Sequence, residues 1–195
     1  MLAIAAKSIG SIAAIHITLS GICIANSALY QGKIMTSSKS KTDTQKDTSV
    51  SAAMTKRIVQ SMYNGHGINP NDLSPGCMFV DPIAICVGRD ETIECFRALK
   101  FMSPKTSKET TLAVKNIDGD LKQQVLMELQ SEYFSTLKVT SLLIVNIDRT
   151  GNHPVVTKFE EQWNYIVLLN SFPFNLSRRL NGKLSCFFTP LVLRD

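Results

Sequence analysis

Beyond Lys108 the hydrophobic pattern of this chain changes to a period of two, and four such runs follow one another at 111–117, 124–134, 139–147 and 155–163. Alternation of that kind fits strands with one dry and one wet face. The connections are short and rich in turn residues, with Asp118-Gly119-Asp120 after the first run and Asp148-Arg149-Thr150-Gly151-Asn152 before the last. Strands joined so closely pair with their sequence neighbours, which predicts an antiparallel meander.

Upstream the spacing is helical. Ile58, Val59, Met62 and Tyr63 form one apolar stripe in 52–64, with Ser51 as candidate N-cap and Asn64-Gly65 as the stop. Residues 69–76 carry Pro, Asn and Gly and read as punctuation with room for a helical turn. Two short apolar runs follow, 77–80 ending at Asp81-Pro82, and 83–87 ending at Gly88. Asp90 then stands as N-cap of a second helix, with Glu91 and Glu94 near its positive end and Ile93, Phe96 and Leu99 on one side. Helices first and a sheet afterwards predict an α+β domain, its curved antiparallel sheet packed on the N-terminal helices.

The rest divides by composition. Residues 1–35 form a hydrophobic leader in which no charged side chain lies between Lys7 and Lys33, and 9–30 is long enough to cross a bilayer core at ~1.5 Å per residue. Ser11, His16, Thr18, Ser20, Asn26 and Ser27 weaken insertion, so a membrane anchor, a secretory signal peptide and an organellar import segment stand as alternatives. Each implies membrane-associated, secretory or organellar localisation, and a leader without function implies a cytoplasmic protein. Residues 36–50 are polar and read as a disordered linker. The folded domain occupies 51–164. The extension 165–195 carries Leu168, Phe172, Phe174, Leu180, Phe187, Phe188 and Leu191, and is too apolar to hang free. It is expected to pack on the domain, a partner or a membrane.

The charge excludes some partners. Five Lys against two Asp precede Thr48, leaving sixteen basic against fourteen acidic residues after it, so the excess belongs mostly to the tail. A nucleic-acid binder carries its basic face on the fold, and none is visible. Cys23, Cys77, Cys86, Cys95 and Cys186 make no CxxC pair, and His16, His66 and His153 are scattered, so neither a metal nor a cofactor is expected. Apolar surroundings favour free thiols.

The stretch CMFVDPIAICVGRDETIECFRALKF resembles the core signature of the nuclear-transport-factor-2-like superfamily, in particular its SnoaL-like branch, and HPVVTKFEEQWN is similar to that branch's final strand. The resemblance spans 51–164. It implies a cone-shaped cystatin-like roll with a pocket at its wide mouth, and a homodimer through the sheet's outer face. Isomerases, cyclases and epoxide hydrolases of the branch have this shape, as do members with no known activity, so the shape alone assigns no reaction. The catalytic Tyr and two Asp of the isomerases, and the Asp-Arg-Asp set of the epoxide hydrolases, do not map residue by residue onto this chain.

Candidate residues follow from strand phase. In a regular last strand Thr157, Phe159, Glu161 and Trp163 share a face, which puts Glu161 in an apolar lining where burial raises its pKa and suits it to proton transfer. Asp81 ends a strand after four apolar residues, and the resemblance places it either near the pocket mouth or capping a neighbouring turn, with Arg97 as a candidate partner. Tyr133 shares phase with Val125, Met127, Leu129 and Ser131, and is a candidate hydrogen-bond donor to a ligand oxygen. These three form the candidate catalytic set, with Phe79, Phe96, Phe159 and Trp163 as ligand-binding wall. The expected function is binding of a small apolar molecule, with acid/base isomerase, cyclase or hydratase chemistry as what such a site supports. The alternative is a non-catalytic dimerising or docking module, tethered to a membrane through 9–30.

Overall fold

The computed structural model describes residues 48–63, 67–99, 105–133, 137–165 and 171–192. The leader 1–35 and the linker up to residue 47 lie outside the described residues.

Helix α1 (Thr48–Tyr63) begins three residues inside the expected linker. Ser51 is therefore a helical residue and not an N-cap. It is buried, and its hydroxyl donates to Gln123 Oε1 on a strand far along the chain. The buried face of α1 carries Met54, Ile58, Val59, Met62 and Tyr63. A 3-10 turn (Pro70–Asp72) follows, with Asn69 Oδ1 accepting the Asn71 N–H. Strand β1 (Leu73–Val80) then incorporates the Ser-Pro-Gly stretch expected as loop. Pro and Gly are tolerated there because the pairing with β6 is irregular between Leu73 and Met78.

Strand β2 (Ile85–Val87) returns antiparallel to β1, and α2 (Arg89–Ala98) follows. Gly88 is the true N-cap, at φ 97°, a left-handed conformation that disfavours any side chain. Asp90 is exposed in the first turn, and the Glu91 carboxylate accepts the Val87 N–H at 2.8 Å. Arg97 pairs with Glu94 at 2.9 Å, not with Asp81.

The meander is β3 (Lys105–Asp118), β4 (Lys122–Tyr133), β5 (Leu137–Asp148) and β6 (Val155–Trp163), each antiparallel to the next. The sheet order is β2-β1-β6-β5-β4-β3. One pairing departs from an all-antiparallel sheet: β1 runs parallel to β6, so the sheet is mixed. Gln123, Val125, Met127, Leu129 and Ser131 on β4, and Val139, Ser141, Leu143, Val145 and Ile147 on β5, are buried in strict alternation. On β6 an irregularity between Asn146 and Ile147 of the partner strand breaks the phase. Val156 is buried in place of Thr157, and the inner set becomes Val156, Phe159, Glu161 and Trp163.

Helix α1 packs on β3 and β4, and the C-terminal helix α3 (Phe172–Val192) packs on α2 and β2. Its approach to β2 is very close, since a Cβ placed on Gly182 would lie 2.2 Å from the Ile85 carbonyl oxygen. Among the described residues no helix is long and apolar enough to cross a membrane. Gly182→Ala should force α3 off β2 and cost about 1–3 kcal/mol by overpacking, read as a lower urea midpoint, whereas Lys183→Ala on the exposed side should change it by less than about 0.5 kcal/mol.

Candidate functional site

Parallel pairing sets Phe79 opposite Phe159 and Val80 opposite Glu160. The next residues are Asp81, just past the end of β1, and Glu161 on β6, near enough that the charge of one acts on the other. Each is two residues beyond a buried Phe and so faces the same interior. Both carboxylates are buried, Asp81 6% and Glu161 2% exposed.

Glu161 is held by hydroxyls. Tyr63 Oη donates to its Oε2 at 2.7 Å from the last turn of α1, and Ser141 Oγ donates to its Oε1 at 2.7 Å from β5. A hydroxyl can also accept, so the same two partners serve the neutral acid after a proton arrives. Burial pushes Glu161 up to about 7, and the Asp81 charge adds to this, while the bonds from Ser141, Tyr63 and Trp163 pull it down. Asp81 Oδ1 accepts the N–H of Ile83 at 2.7 Å and that of Ala84, closing the turn after β1. Burial pushes Asp81 up to about 6 against these two N–H groups and the Arg178 charge. Asp81 thus caps a turn and also stands beside Glu161.

The core next to the pair is aromatic. Phe79 and Phe96 meet edge to face with centroids 4.7 Å apart, and Phe96 meets Phe159 likewise at 5.7 Å. Rings already in contact with one another make a firm apolar wall. Trp163 is buried and follows Glu161 on the same strand face. Tyr133 ends β4, and its side chain lies outside the described residues.

Three participants were not among the sequence candidates. Ser141 had a signal, being a polar residue in the inward phase of β5 between Val139 and Leu143. Tyr63 showed only its place in an apolar stripe. Arg178, on α3, is 2% exposed and donates from Nε to the Asp81 carbonyl at 2.8 Å. A charged residue that deep in an apolar segment was the one visible hint.

Among the described residues no group of three His, Cys, Asp or Glu is arranged to hold a metal ion. Cys77, Cys86 and Cys95 are buried free thiols. A separate hollow of about 380 Å³ is lined by Arg57, Ile58, Ser61, Ile68 and Asp72, and Arg57 reaches both Asp72 oxygens at 2.9 and 3.0 Å. None of the sequence candidates lines it.

Comparison with known proteins places this geometry in a fold. The structure is similar to a cystatin-like domain of unknown function from Nostoc punctiforme, at TM-score 0.51 and 12% identity over 62% of this chain and 78% of that one. It is also similar to a ketosteroid isomerase-like protein from Erwinia carotovora atroseptica, at TM-score 0.50 and 9% identity over 62% of this chain and 98% of that one. The fold is therefore the nuclear-transport-factor-2-like, cystatin-like α+β roll. No protein-family sequence profile matches the chain, and no curated protein matches it in sequence.

Both carboxyls bind protons more tightly folded than unfolded. Their contribution to stability is therefore complete below the ordinary values of 3.8 and 4.5 and is lost as pH rises through about 6 for Asp81 and about 7 for Glu161. Glu161→Gln should flatten this decline between acid and mild alkali by roughly 3 kcal/mol, measured as the pH dependence of the urea midpoint. An unchanged slope would show that Glu161 titrates normally.

Proposed function

We propose that this domain binds a small apolar, ring-bearing molecule at the Asp81–Glu161 pair, as a member of the SnoaL-like branch, and moves protons on it in an isomerase, cyclase or hydratase type of reaction. The observation that carries the reading is the Glu161 carboxyl, buried, bonded to the hydroxyls of Tyr63 and Ser141, which serve both protonation states, and set beside a second carboxylate and the Phe79–Phe96 ring pair. A base whose pKa lies near neutrality is half ionised at working pH and can both take and return a proton. The likeness to a ketosteroid isomerase-like protein is consistent with such chemistry. Substrate recognition on this reading is mostly apolar contact with Trp163 and the Phe wall, with one polar atom of the ligand meeting the carboxyl pair.

The test needs no natural substrate. Tetralone, a cyclic aryl ketone, exchanges its α-protons in heavy water when a positioned base is present. The protein should accelerate this exchange, Glu161→Gln should reduce the acceleration by roughly a hundredfold, and tetralone should quench the single Trp of the chain, Trp163, in a saturable way. Absence of both exchange and quenching would remove the proposal.

A second reading rests on the outer side of α3. Phe172, Leu176, Leu180 and Phe187 are 81%, 50%, 47% and 66% exposed and fall on one helical face. The stripe reads Phe-Leu-Leu-Phe in either direction, which suits antiparallel contact with a second copy of the same helix. Light scattering should then give a dimer that Leu180→Ser with Phe187→Ser converts to monomer. A monomeric wild-type chain at high concentration would refute it.

A further inference from the structure

The turn after β1 is held from the other side by α3. Arg178 Nε donates to the Asp81 carbonyl at 2.8 Å, Asn181 Nδ2 to the Ile83 carbonyl at 3.1 Å, and Arg179 Nη1 to the Ile85 carbonyl at 3.1 Å. Arg179 is itself anchored by Glu91 on α2, with Nη2 to Oε1 at 2.8 Å. Three consecutive odd-numbered carbonyls of 81–85 thus end on side chains from one helix. Gly182 lets the helix axis approach closely enough for short reaches. Of these donors only Arg178 is both charged and fully buried, at 2% exposed. It also senses Glu160, whose own carboxylate is occupied by Lys158 at 2.8 Å and Gln162 at 2.9 Å.

We infer that Arg178 is a positioning residue for the carboxylate pair, its buried charge adding to the Ile83 and Ala84 N–H groups that hold Asp81 as the ionised member, so that the proton of the pair stays on Glu161. This deepens the reading proposed above and rests on it for the word "pair". The charged and titratable groups around the two carboxyls agree with the assignment. Asp81 faces Arg178 from α3, Glu161 from β6 and the Cys95 thiol from α2. Glu161 faces the hydroxyls of Tyr63 from α1 and Ser141 from β5, and Asp81 from the end of β1, and among the described residues no cation bonds to it. Two like charges on neighbouring strands in a buried site do not both ionise easily, and the one nearer a cation loses its proton first. The C-terminal helix would then be part of the site and not only a cover for β2, and the acid and base roles would be divided between the two carboxyls before any ligand arrives.

The experiment is a carboxyl-carbon NMR titration of the full chain, following Asp81 and Glu161 separately. In the wild type Asp81 should lose its proton at lower pH than Glu161. Arg178→Met should raise the Asp81 midpoint by a pH unit or more, reversing or merging the order, and Arg178→Lys should restore it. A purely structural arginine would not be rescued by lysine in the order of titration. Should Arg178→Met fail to fold, the wild-type order and the Arg178→Lys titration decide the matter. Glu161 ionising first in the wild type, or an Asp81 midpoint indifferent to a folded Arg178→Met, overturns the assignment. A Glu161 that titrates as an ordinary solvent-exposed carboxylate would sink the acid/base reading instead, while the response of Asp81 to position 178 would still report on Arg178.

Discussion

The parallel pairing of β1 with β6 is the constraint on which the site rests. Antiparallel neighbours can be made by a short turn, but this pair joins two strands that are far apart in sequence, with the whole of α2 and the β3-β4-β5 meander between them. Because they run the same way, both strands end on the same side of the sheet, and the residues that follow the last inner Phe on each become neighbours. Two carboxylates separated by eighty positions thereby share one apolar interior. Their mutual repulsion is a direct consequence of how the sheet closes.

Such a pair survives burial only if its surroundings are complete. Glu161 takes its hydrogen bonds from α1 and β5, and Asp81 takes its own from the turn it closes, so each carboxylate is supported by a different part of the fold. The backbone carbonyls of that turn then need donors, and α3 supplies them. The C-terminal helix is thus bound to the site by polar geometry on one side, while its other side shows Phe172, Leu176, Leu180 and Phe187 to solvent. Among the described residues, part of the apolar character that made this segment conspicuous in sequence is on the outer face, and Arg178, Arg179, Asn181 and Gly182 are among the residues that attach it.

The alternation in β4 and β5 made the sheet legible, because a strand covered on one side must hide every second residue. Ser141 breaks the apolar inward phase of β5, but was not among the candidates. The same rule misplaced Thr157, since one extra residue in β6 shifts the phase and no local signal marks it. Asp90 and Ser51 looked like caps by type, yet Gly88 caps α2 through its backbone and Ser51 lies inside α1, because the choice among neighbouring candidates is made by tertiary contacts such as Ser51 with Gln123. Arg97 was a plausible partner for Asp81, and a nearer carboxylate, Glu94, holds it.

Sequence by itself determined the α+β class, the four-strand meander, the burial of Phe79, Phe96, Phe159, Glu161 and Trp163, and the unusual character of Asp81, because each of these follows from periodicity and from residue type within a few positions. Only the tertiary structure decided that β1 lies parallel to β6, that Tyr63 and Ser141 meet at Glu161, and that Arg178 reaches back to Asp81. Those are contacts across tens of residues, and which of many chemically equivalent partners meet depends on how the chain closes in space, a property no local window contains.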